Sequence, residues 1–172
     1  MGWVPTEDEA VELLKKEKAP APVIAHCKAV TGLVKELIAG VKVDEEVMIA
    51  GALLHDIGRS RTRGPDHGVV GGEILRSDGV DERVALITER HVGAGIPKTE
   101  AVKLGFPPKD YLPVTLEEKV VCYADKLLSG SRVTTEAEAL YDFRKKLGDG
   151  HPAILRMKKL FQEVRLIVGG ER

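Results

Sequence analysis

Apolar residues recur at helical spacing along almost the whole of this chain, and no segment alternates as a strand would. In the stretch VIAHCKAVTGLVKEL, an apolar residue falls at every third or fourth position. Capping boxes, aspartates and glycines mark where the helices begin and end. The pattern predicts an all-α fold, a bundle of about six to eight helices at residues 6–18, 22–40, 44–58, 66–77, 81–91, 115–129, 135–147 and 152–168.

The 172 residues are enough for one domain with a sizeable core, and no linker divides them, so we expect a single domain over 1–172. A formal net charge of −1 argues against general nucleic-acid binding and against a membrane-surface protein. The chain has no apolar run of membrane-spanning length and no signal-peptide pattern, which predicts a cytoplasmic protein.

Cys27 and Cys122, without a CxxC motif, are expected to be reduced and buried. The absence of Asn and the single Gln resemble a thermophile composition.

The stretch GALLHDIGRS places a histidine and an aspartate side by side at the end of a strongly apolar helix. Burying two ionisable groups there is costly unless something pairs with them. Other histidines and another aspartate also project from, or beside, the apolar face of a predicted helix, because apolar residues lie three or four positions away. The full set, drawn from five predicted helices, is His26, His55, Asp56, His67, His91 and Asp125.

Taken singly, each of these residues has an ordinary explanation. A core histidine is more often hydrogen-bonded than a metal ligand, and an inward aspartate often pairs with Arg or Lys. Taken together, that explanation requires a separate partner for each of the six in one small core. One or two divalent cations satisfy all six, so we interpret the set as a metal site. His151, which precedes Pro152, is interpreted as a helix cap.

The order of these residues resembles the HD-domain superfamily of metal-dependent phosphohydrolases: His26, then His55 and Asp56 within HDIG, then a distant Asp125. The resemblance covers about residues 20–130 and implies an HD-domain helical bundle with its core there and C-terminal helices 135–168 packed on it. The stretches HDIGRSRTRGPDHGVVGGEIL and LEEKVVCYADKLL are similar to small archaeal stand-alone HD proteins. One activity among such proteins is the opening of a 2′,3′-cyclic phosphate on a pterin side chain.

The resemblance implies two divalent transition-metal ions, with one ion held by His26, His55, Asp56 and Asp125. Two-metal members add histidines between the HD pair and the last Asp, which implies a second ion held by Asp56 as a bridge, His67 and His91. A histidine-rich shell suits iron, manganese, nickel, cobalt or zinc better than magnesium. Cyclic-dinucleotide enzymes of the superfamily carry HDIGK and a downstream GYP. This chain has Arg59 at the Lys position and no GYP, which argues against that activity.

A phosphate substrate also needs cations from the protein, and RSRTR follows the HD pair directly. A guanidinium matches a phosphate bidentately, so we expect Arg59 to bind the substrate and to act in catalysis. Asp56 is also expected to act in catalysis, and Lys126 is a second candidate to bind the substrate. Arg61 and Arg63 lie progressively farther along the loop. The Gly/Pro-rich stretch 92–114 is a candidate binding loop, and its Phe106 and Tyr111 are candidates to cover a base or a pterin ring.

Three hypotheses for function follow. The first is a metal-dependent phosphohydrolase that hydrolyses a phosphate mono- or diester of a small nucleotide-like substrate, including a 2′,3′-cyclic phosphate of a nucleotide or a pterin. The second is a dinucleoside-polyphosphate or nucleoside-phosphate hydrolase that uses the same site. The third is a non-catalytic HD module that binds a metal or a nucleotide, although the complete ligand set argues against it. Apolar residues on the last helix permit a homodimer.

Overall fold

Helices account for most of the molecule, as the apolar spacing predicts. The computed structural model describes residues 2–169, and none of the helices in this part of the chain is both long and apolar enough to cross a membrane. The helices are α1 Glu7–Lys16, α2 Ala21–Leu37, α3 Glu45–Leu54, α4 His67–Ser77, α5 Glu82–Arg90, α6 Lys98–Lys103, α7 Leu116–Lys126, α8 Glu136–Leu147 and α9 Pro152–Val168. The all-α prediction is therefore confirmed, and α6 is a short helix within the Gly/Pro-rich stretch 92–114.

Side-chain caps fix several of the predicted helix starts, although α2 and α4 begin without one. At α1 the hydroxyl of Thr6 accepts the N–H of Glu9, and the Glu9 carboxylate accepts the N–H of Thr6, which completes a capping box. At α7 only half of a capping box forms between Thr115 and Glu118, since Thr115 accepts the N–H of Glu118. The Glu118 carboxylate is instead bound by Arg90 at 3.0 Å, so it ties α7 to α5.

The helix that carries the HD pair ends earlier than predicted. The α-helix stops at Leu54, and a 3-10 helix at Ile57–Ser60 follows the HD pair, whereas the sequence predicted a helix to Gly58. Gly58 packs directly on the start of α4, where a Cβ would lie 2.0 Å from the carbonyl oxygen of His67. The tight contact turns the chain out of α3 and positions the HD pair beside α4.

A short hairpin replaces the predicted end of α7. The helix stops at Lys126, and strands β1 Leu128–Ser129 and β2 Arg132–Val133 pair antiparallel, although no strand was predicted. Gly130 begins the turn between them with a φ of 62°, a conformation that favours glycine. Strands of two residues are too short to produce an alternating pattern in the sequence.

One apolar cluster holds the molecule together and includes side chains from both ends of the described chain. Leu14 of α1, Leu54 of α3 and Phe161 of α9 are all at most 1% exposed within this cluster. Cys27 and Cys122 are buried in the same cluster as free thiols, as predicted. Helices α8 and α9 therefore pack on the core that surrounds the HD pair.

The expectation that Tyr111 covers a ligand ring is wrong. Its side chain is 1% exposed and belongs to a small second apolar cluster with Ile96 and Ala101, and its hydroxyl donates to the carbonyl of Pro107. Phe106 packs edge-on against Tyr111, with ring centroids 6.1 Å apart. Both rings thus stabilise the stretch 92–114 itself, because the loop has its own core.

Candidate metal centre

The six residues predicted to form a metal site come together at the centre of the bundle. Four histidines and two aspartates arrive from separate elements: His26 from α2, His55 and Asp56 from the end of α3, His67 from the first turn of α4, His91 from the C-cap of α5 and Asp125 from α7. The ligand atoms of His26, His55 and Asp125 lie within 4.8 Å of one another, and so do those of His55, Asp56 and His91. His55 therefore lies between two overlapping groups. We call these six residues the His/Asp cluster.

Every histidine of the His/Asp cluster is oriented by its Nδ1 atom. In each ring Nδ1 lies within hydrogen-bond distance of a backbone carbonyl, at 2.6 Å for His26 and Gly130, 2.7 Å for His55 and Ala52, 2.8 Å for His67 and Gly64, and 2.6 Å for His91 and Thr88. A carbonyl can only accept, so each Nδ1 must carry the hydrogen. In the neutral ring the Nε2 lone pair then faces the cluster, which is the tautomer that binds a cation.

Asp56 presents its two carboxylate oxygens to two different pairs of histidines. Its Oδ1 atom lies 3.2 Å from Nε2 of His67 and 3.4 Å from Nε2 of His91. The Oδ2 atom lies 3.7 Å from Nε2 of His55 and 3.9 Å from Nε2 of His26. This is the arrangement expected of a carboxylate shared between two cations, since each oxygen faces its own set of nitrogen atoms.

Asp125 completes the first of these two sets. Its Oδ1 atom lies 2.9 Å from Nε2 of His26 and 3.4 Å from Nε2 of His55. The Oδ2 atom forms an ion pair with Lys126, whose side chain is largely buried. One oxygen of Asp125 thus faces the His/Asp cluster, while the other neutralises a neighbouring cation.

The donor atoms fit divalent cations better than they fit one another. Nε2 of His55 and Oδ1 of Asp56 are buried without a hydrogen-bond partner. The Nε2 atoms of His67 and His91 lie 3.1 Å apart, and with both Nδ1 atoms protonated neither neutral ring has a hydrogen to place between them. Buried lone pairs without a partner are costly, and a divalent cation removes that cost. The histidine-rich donor set suits iron, manganese, nickel, cobalt or zinc better than magnesium.

The charge states also favour cation binding. Burial opposes the charge on Asp125, but Lys126 and the neighbouring histidines outweigh it and hold the pKa of Asp125 well below its ordinary value. The same balance, with His55 as the strongest favourable partner, lowers the pKa of Asp56. Burial lowers the pKa of His91 to about 4, so its ring is neutral. Ionised carboxylates and neutral imidazoles are the forms in which these groups bind metal ions.

His55 shows how strongly the His/Asp cluster attracts positive charge. Burial alone would lower the pKa of His55, yet the acidic groups around it, with Cys27 and Asp56 foremost, raise that pKa well above its ordinary value. The raised pKa indicates a negative electrostatic field at this buried ring. The same field would attract a metal cation.

A cavity of about 400 Å³ opens over the His/Asp cluster. Five of the six cluster residues line it, and His55 alone lies deeper. Arg59 also lines the cavity, with Nε 3.5 Å from Oδ1 of Asp56. Arg61 turns away from the cavity and pairs with Glu17 at 2.6 Å. A larger groove of about 1030 Å³ beside the start of α3 contains none of the predicted site residues.

Lys126 lines the same cavity but is already paired. Its ammonium group is bound to Asp125, and although burial opposes the charge, that carboxylate raises the pKa of Lys126. Lys126 therefore stays charged at the edge of the His/Asp cluster. Its predicted contact with a substrate phosphate stays a prediction.

Sequence reasoning missed the contribution of α8 to this cavity. Side chains from one face of α8, at Ala139, Asp142, Phe143 and Lys146, also line the cavity. Their spacing of three, four and seven residues from Ala139 was visible in the sequence. Two of the four are charged, so the pattern looks like that of a solvent-facing side of a helix.

The fold and the His/Asp cluster together define a class: an all-α bundle whose apolar core is interrupted by buried histidines and aspartates suited to divalent cations. Residues 23–130 match the family model described as HD domain, and the chain belongs to that family. The predicted resemblance to HD-domain proteins is therefore confirmed.

Two curated relatives and one solved structure illustrate the match. The uncharacterized protein MJ0778 of Methanocaldococcus jannaschii is 49% identical over 91% of this chain and 95% of its own length. A tRNA (cytidine(56)-2′-O)-methyltransferase of Picrophilus torridus is 41% identical over 97% of this chain, which spans about half (48%) of that protein. The HD domain of the L. monocytogenes phosphodiesterase PgpH, in complex with cyclic-di-AMP, superposes with a TM-score of 0.55 over 94% of this chain and 99% of that one. At 18% identity, this last likeness shows the fold alone.

Proposed function

We propose that this chain is a metal-dependent phosphohydrolase that hydrolyses a phosphate mono- or diester of a small nucleotide-like substrate. The observation that carries the proposal is the convergence of four Nε2 atoms and two ionised carboxylates under an open cavity. A purely structural role would not require every Nδ1 to be directed away from the cavity. Membership of the HD family supports the same chemistry.

The proposal includes two divalent transition-metal ions. His26, His55 and Asp125 with one oxygen of Asp56 would hold the first ion. His67 and His91 with the other oxygen of Asp56 would hold the second. A pair of divalent ions supplies a water of lowered pKa and charge stabilisation for a phosphoryl group.

The protein's own residues would bind and orient the substrate. Arg59 lies at the rim of the cavity, and its side chain is 34% exposed. It donates to the backbone carbonyl of Arg63 at 2.9 Å, which holds the guanidinium beside the His/Asp cluster. From there it can bind phosphate oxygens bidentately, next to the Asp56 carboxylate that faces both sets of histidines.

The size of the cavity bears on the substrate class. A volume of about 400 Å³ lies toward the lower end of the range of small-molecule sites, which favours a mononucleotide-sized ligand over an extended dinucleoside polyphosphate. A 2′,3′-cyclic phosphate of a nucleotide or a pterin has this size. The sequence HDIGR and the absence of GYP continue to argue against a cyclic dinucleotide.

A substrate screen tests the proposal. Protein loaded with Mn²⁺, Fe²⁺ or Ni²⁺ is assayed on phosphomonoesters, nucleoside 2′,3′-cyclic phosphates and a dinucleoside tetraphosphate. The expected result is hydrolysis of one of the first two groups, lost in Asp56→Asn and retained in Asp8→Asn, an exposed aspartate on α1. Preferred cleavage of the tetraphosphate would support the second hypothesis. Binding of metal and nucleotide without any hydrolysis would support a non-catalytic module.

A further inference from the structure

One complete face of α8 forms a wall of the cavity over the His/Asp cluster. Ala139, Asp142, Phe143 and Lys146 are spaced as i, i+3, i+4 and i+7, which places them along a single side of the helix. All four lie outside residues 23–130, the part of the chain that matches the HD family model. This wall, which we call the α8 face, therefore lies beyond the part of the chain that the HD family model covers.

The α8 face is held rigidly by the segment that precedes it. Thr134 donates to the carbonyl of Leu127 through both its backbone N–H (2.7 Å) and its hydroxyl (3.0 Å), just past the end of α7. In the first turn of α8, the buried carboxylate of Glu136 accepts the Tyr123 hydroxyl at 2.8 Å and pairs with Arg165 of α9 at 2.6 Å. These contacts link α8 to the helix that supplies Asp125, so the wall has a defined position relative to the cluster.

Phe143 places an aromatic ring close to the reacting end of the cavity. A Cβ built on Gly93 would lie 3.9 Å from Cζ of Phe143, and Gly93 is only two residues beyond His91. The ring is half-buried against the main core, so its position does not depend on a ligand. An aromatic face at a fixed place beside a phosphate site is suited to stack on a planar ring of a substrate.

Lys146 is the cation of this wall that has no partner. Arg59 and Lys126 each contact a carboxylate of the His/Asp cluster, whereas Lys146 has no ion pair or hydrogen bond within residues 2–169. It lies one turn beyond Phe143, farther along the same face. Asp142, beside Phe143, offers acceptor oxygens to a hydroxyl or an amino group. The wall thus combines a stacking ring, a free cation and a polar acceptor.

We propose that the α8 face recognises the non-reacting part of the substrate, with Phe143 stacking on its ring and Lys146 binding a second anionic group. The substrate class is then a ring-bearing phosphate ester with another phosphate or carboxylate, such as a phosphorylated nucleotide or pterin. This inference rests on the proposed function, because it presumes that the scissile phosphate binds at the His/Asp cluster.

The test is equilibrium binding to the Mn²⁺-loaded protein, measured within seconds of mixing. The probes are inorganic phosphate, adenosine 5′-monophosphate and adenosine 3′,5′-bisphosphate. Lys146→Ala should weaken binding of the bisphosphate about tenfold, since a charge-assisted contact is lost, while binding of inorganic phosphate stays within about twofold. Phe143→Leu should weaken both nucleotides about tenfold and leave inorganic phosphate unchanged. Lys145→Ala is the matched control, because Lys145 lies on another side of α8 and faces the Tyr141 ring.

The outcomes separate this inference from the proposed function. If Lys146→Ala binds the bisphosphate as the Lys145→Ala control does, or if Phe143→Leu weakens inorganic phosphate as much as the nucleotides, the α8 face does not recognise the substrate. If the wild-type protein binds inorganic phosphate, and binds neither nucleotide more tightly than inorganic phosphate, the inference is overturned and the proposed function stands. A protein that binds none of the three probes overturns both. Lys146 is exposed, so its substitution tests binding and not folding.

Discussion

Asp56 is the residue on which both halves of the His/Asp cluster depend. Its two oxygens face different pairs of histidines, and its neighbour His55 lies between the two groups of donor atoms. Adjacent residues normally point in different directions on a helix. Here the α-helix ends at Leu54, and the change of backbone direction brings both side chains to one site.

Removing Asp125 should cost both metal and stability. In Asp125→Ala the proposed first ion would lose a carboxylate, and the largely buried Lys126 loses its counter-charge. Breaking a buried ion pair in this way typically costs about 3–5 kcal/mol. We expect elemental analysis to show a lower metal content and urea unfolding to show a lower free energy of unfolding, with Asp8→Ala near wild type. Full metal content in Asp125→Ala would show that this carboxylate is not a ligand.

Replacing Arg59 should affect the substrate more than the metal. Its guanidinium lies at the cavity rim, whereas Arg61 pairs with Glu17 outside the cavity. Loss of a charge-assisted contact to a phosphate should lower kcat/KM about ten- to a hundredfold in Arg59→Ala, with metal content unchanged. Arg61→Ala is the matched control. The placement is wrong if the control loses activity and Arg59→Ala keeps it.

The residue scale also shows what the sequence could and could not predict. Helical spacing identified the inward direction of His26 correctly, because periodicity depends on local residues alone. The carbonyl that orients its ring belongs to Gly130, 104 residues away, and no local pattern encodes that contact. Tyr111 was misjudged for a similar reason, since loop composition does not reveal whether a ring packs within the loop.

At the scale of elements, the junction between α3 and α4 sets the geometry of the site. Gly58 of the 3-10 helix approaches the backbone of α4 so closely that no side chain fits between them. Gly71 of α4 continues this contact, since a Cβ there would lie 3.2 Å from the backbone nitrogen of Gly58. His55 and His67 are therefore positioned by backbone contact as well as by side-chain packing.

Two glycine substitutions should have opposite effects on stability. Gly58→Ala places a Cβ 2.0 Å from the His67 carbonyl oxygen, and because the backbone must shift, we expect a loss of about 3 kcal/mol or more. Gly32→Ala lies within α2 with nothing inside 4 Å, so it should gain about 0.5–1 kcal/mol from helix propensity. Chemical denaturation measures both. Equal effects of the two substitutions would contradict the close packing at Gly58.

Element boundaries were harder to predict than element types. The end of α3 and the hairpin after α7 both differ from the sequence prediction. Gly58 packs on the start of α4 just after the first, and Gly130 forms the turn of the second. The α8 face was overlooked because charged residues at helical spacing look the same whether they face solvent or a polar cavity. Three-dimensional context, not propensity, decides these cases.

For the whole molecule, the His/Asp cluster is a polar centre inside an otherwise apolar core, so cation binding should be coupled to stability. A ligand present at a hundred times its Kd stabilises the folded state by about 2.7 kcal/mol, which for a domain of this size corresponds to about 5–10 °C in Tm. A chelator should lower the Tm of the protein by that amount, and added Mn²⁺ should restore it. A Tm that responds to neither addition would show that the fold does not depend on the ion.

The extent of the domain and its assembly remain predictions at this scale. The prediction of a single domain over residues 1–172 is compatible with the shared apolar cluster of α1 and α9. Leu155 and Leu166 of α9 are 72% and 81% exposed, which supports the expectation that a homodimer is permitted. Sedimentation of the metal-loaded protein measures the oligomeric state directly.

The central claim is that two divalent ions share Asp56, and anomalous diffraction at the manganese edge tests it most directly. Crystals of the Mn²⁺-loaded protein should show two peaks, one beside His26, His55 and Asp125 and one beside His67 and His91. Crystals of His67→Ala should keep the first peak and lose the second. A single peak in the wild type would contradict the two-ion account, and no peak at the His/Asp cluster would contradict the metal site itself.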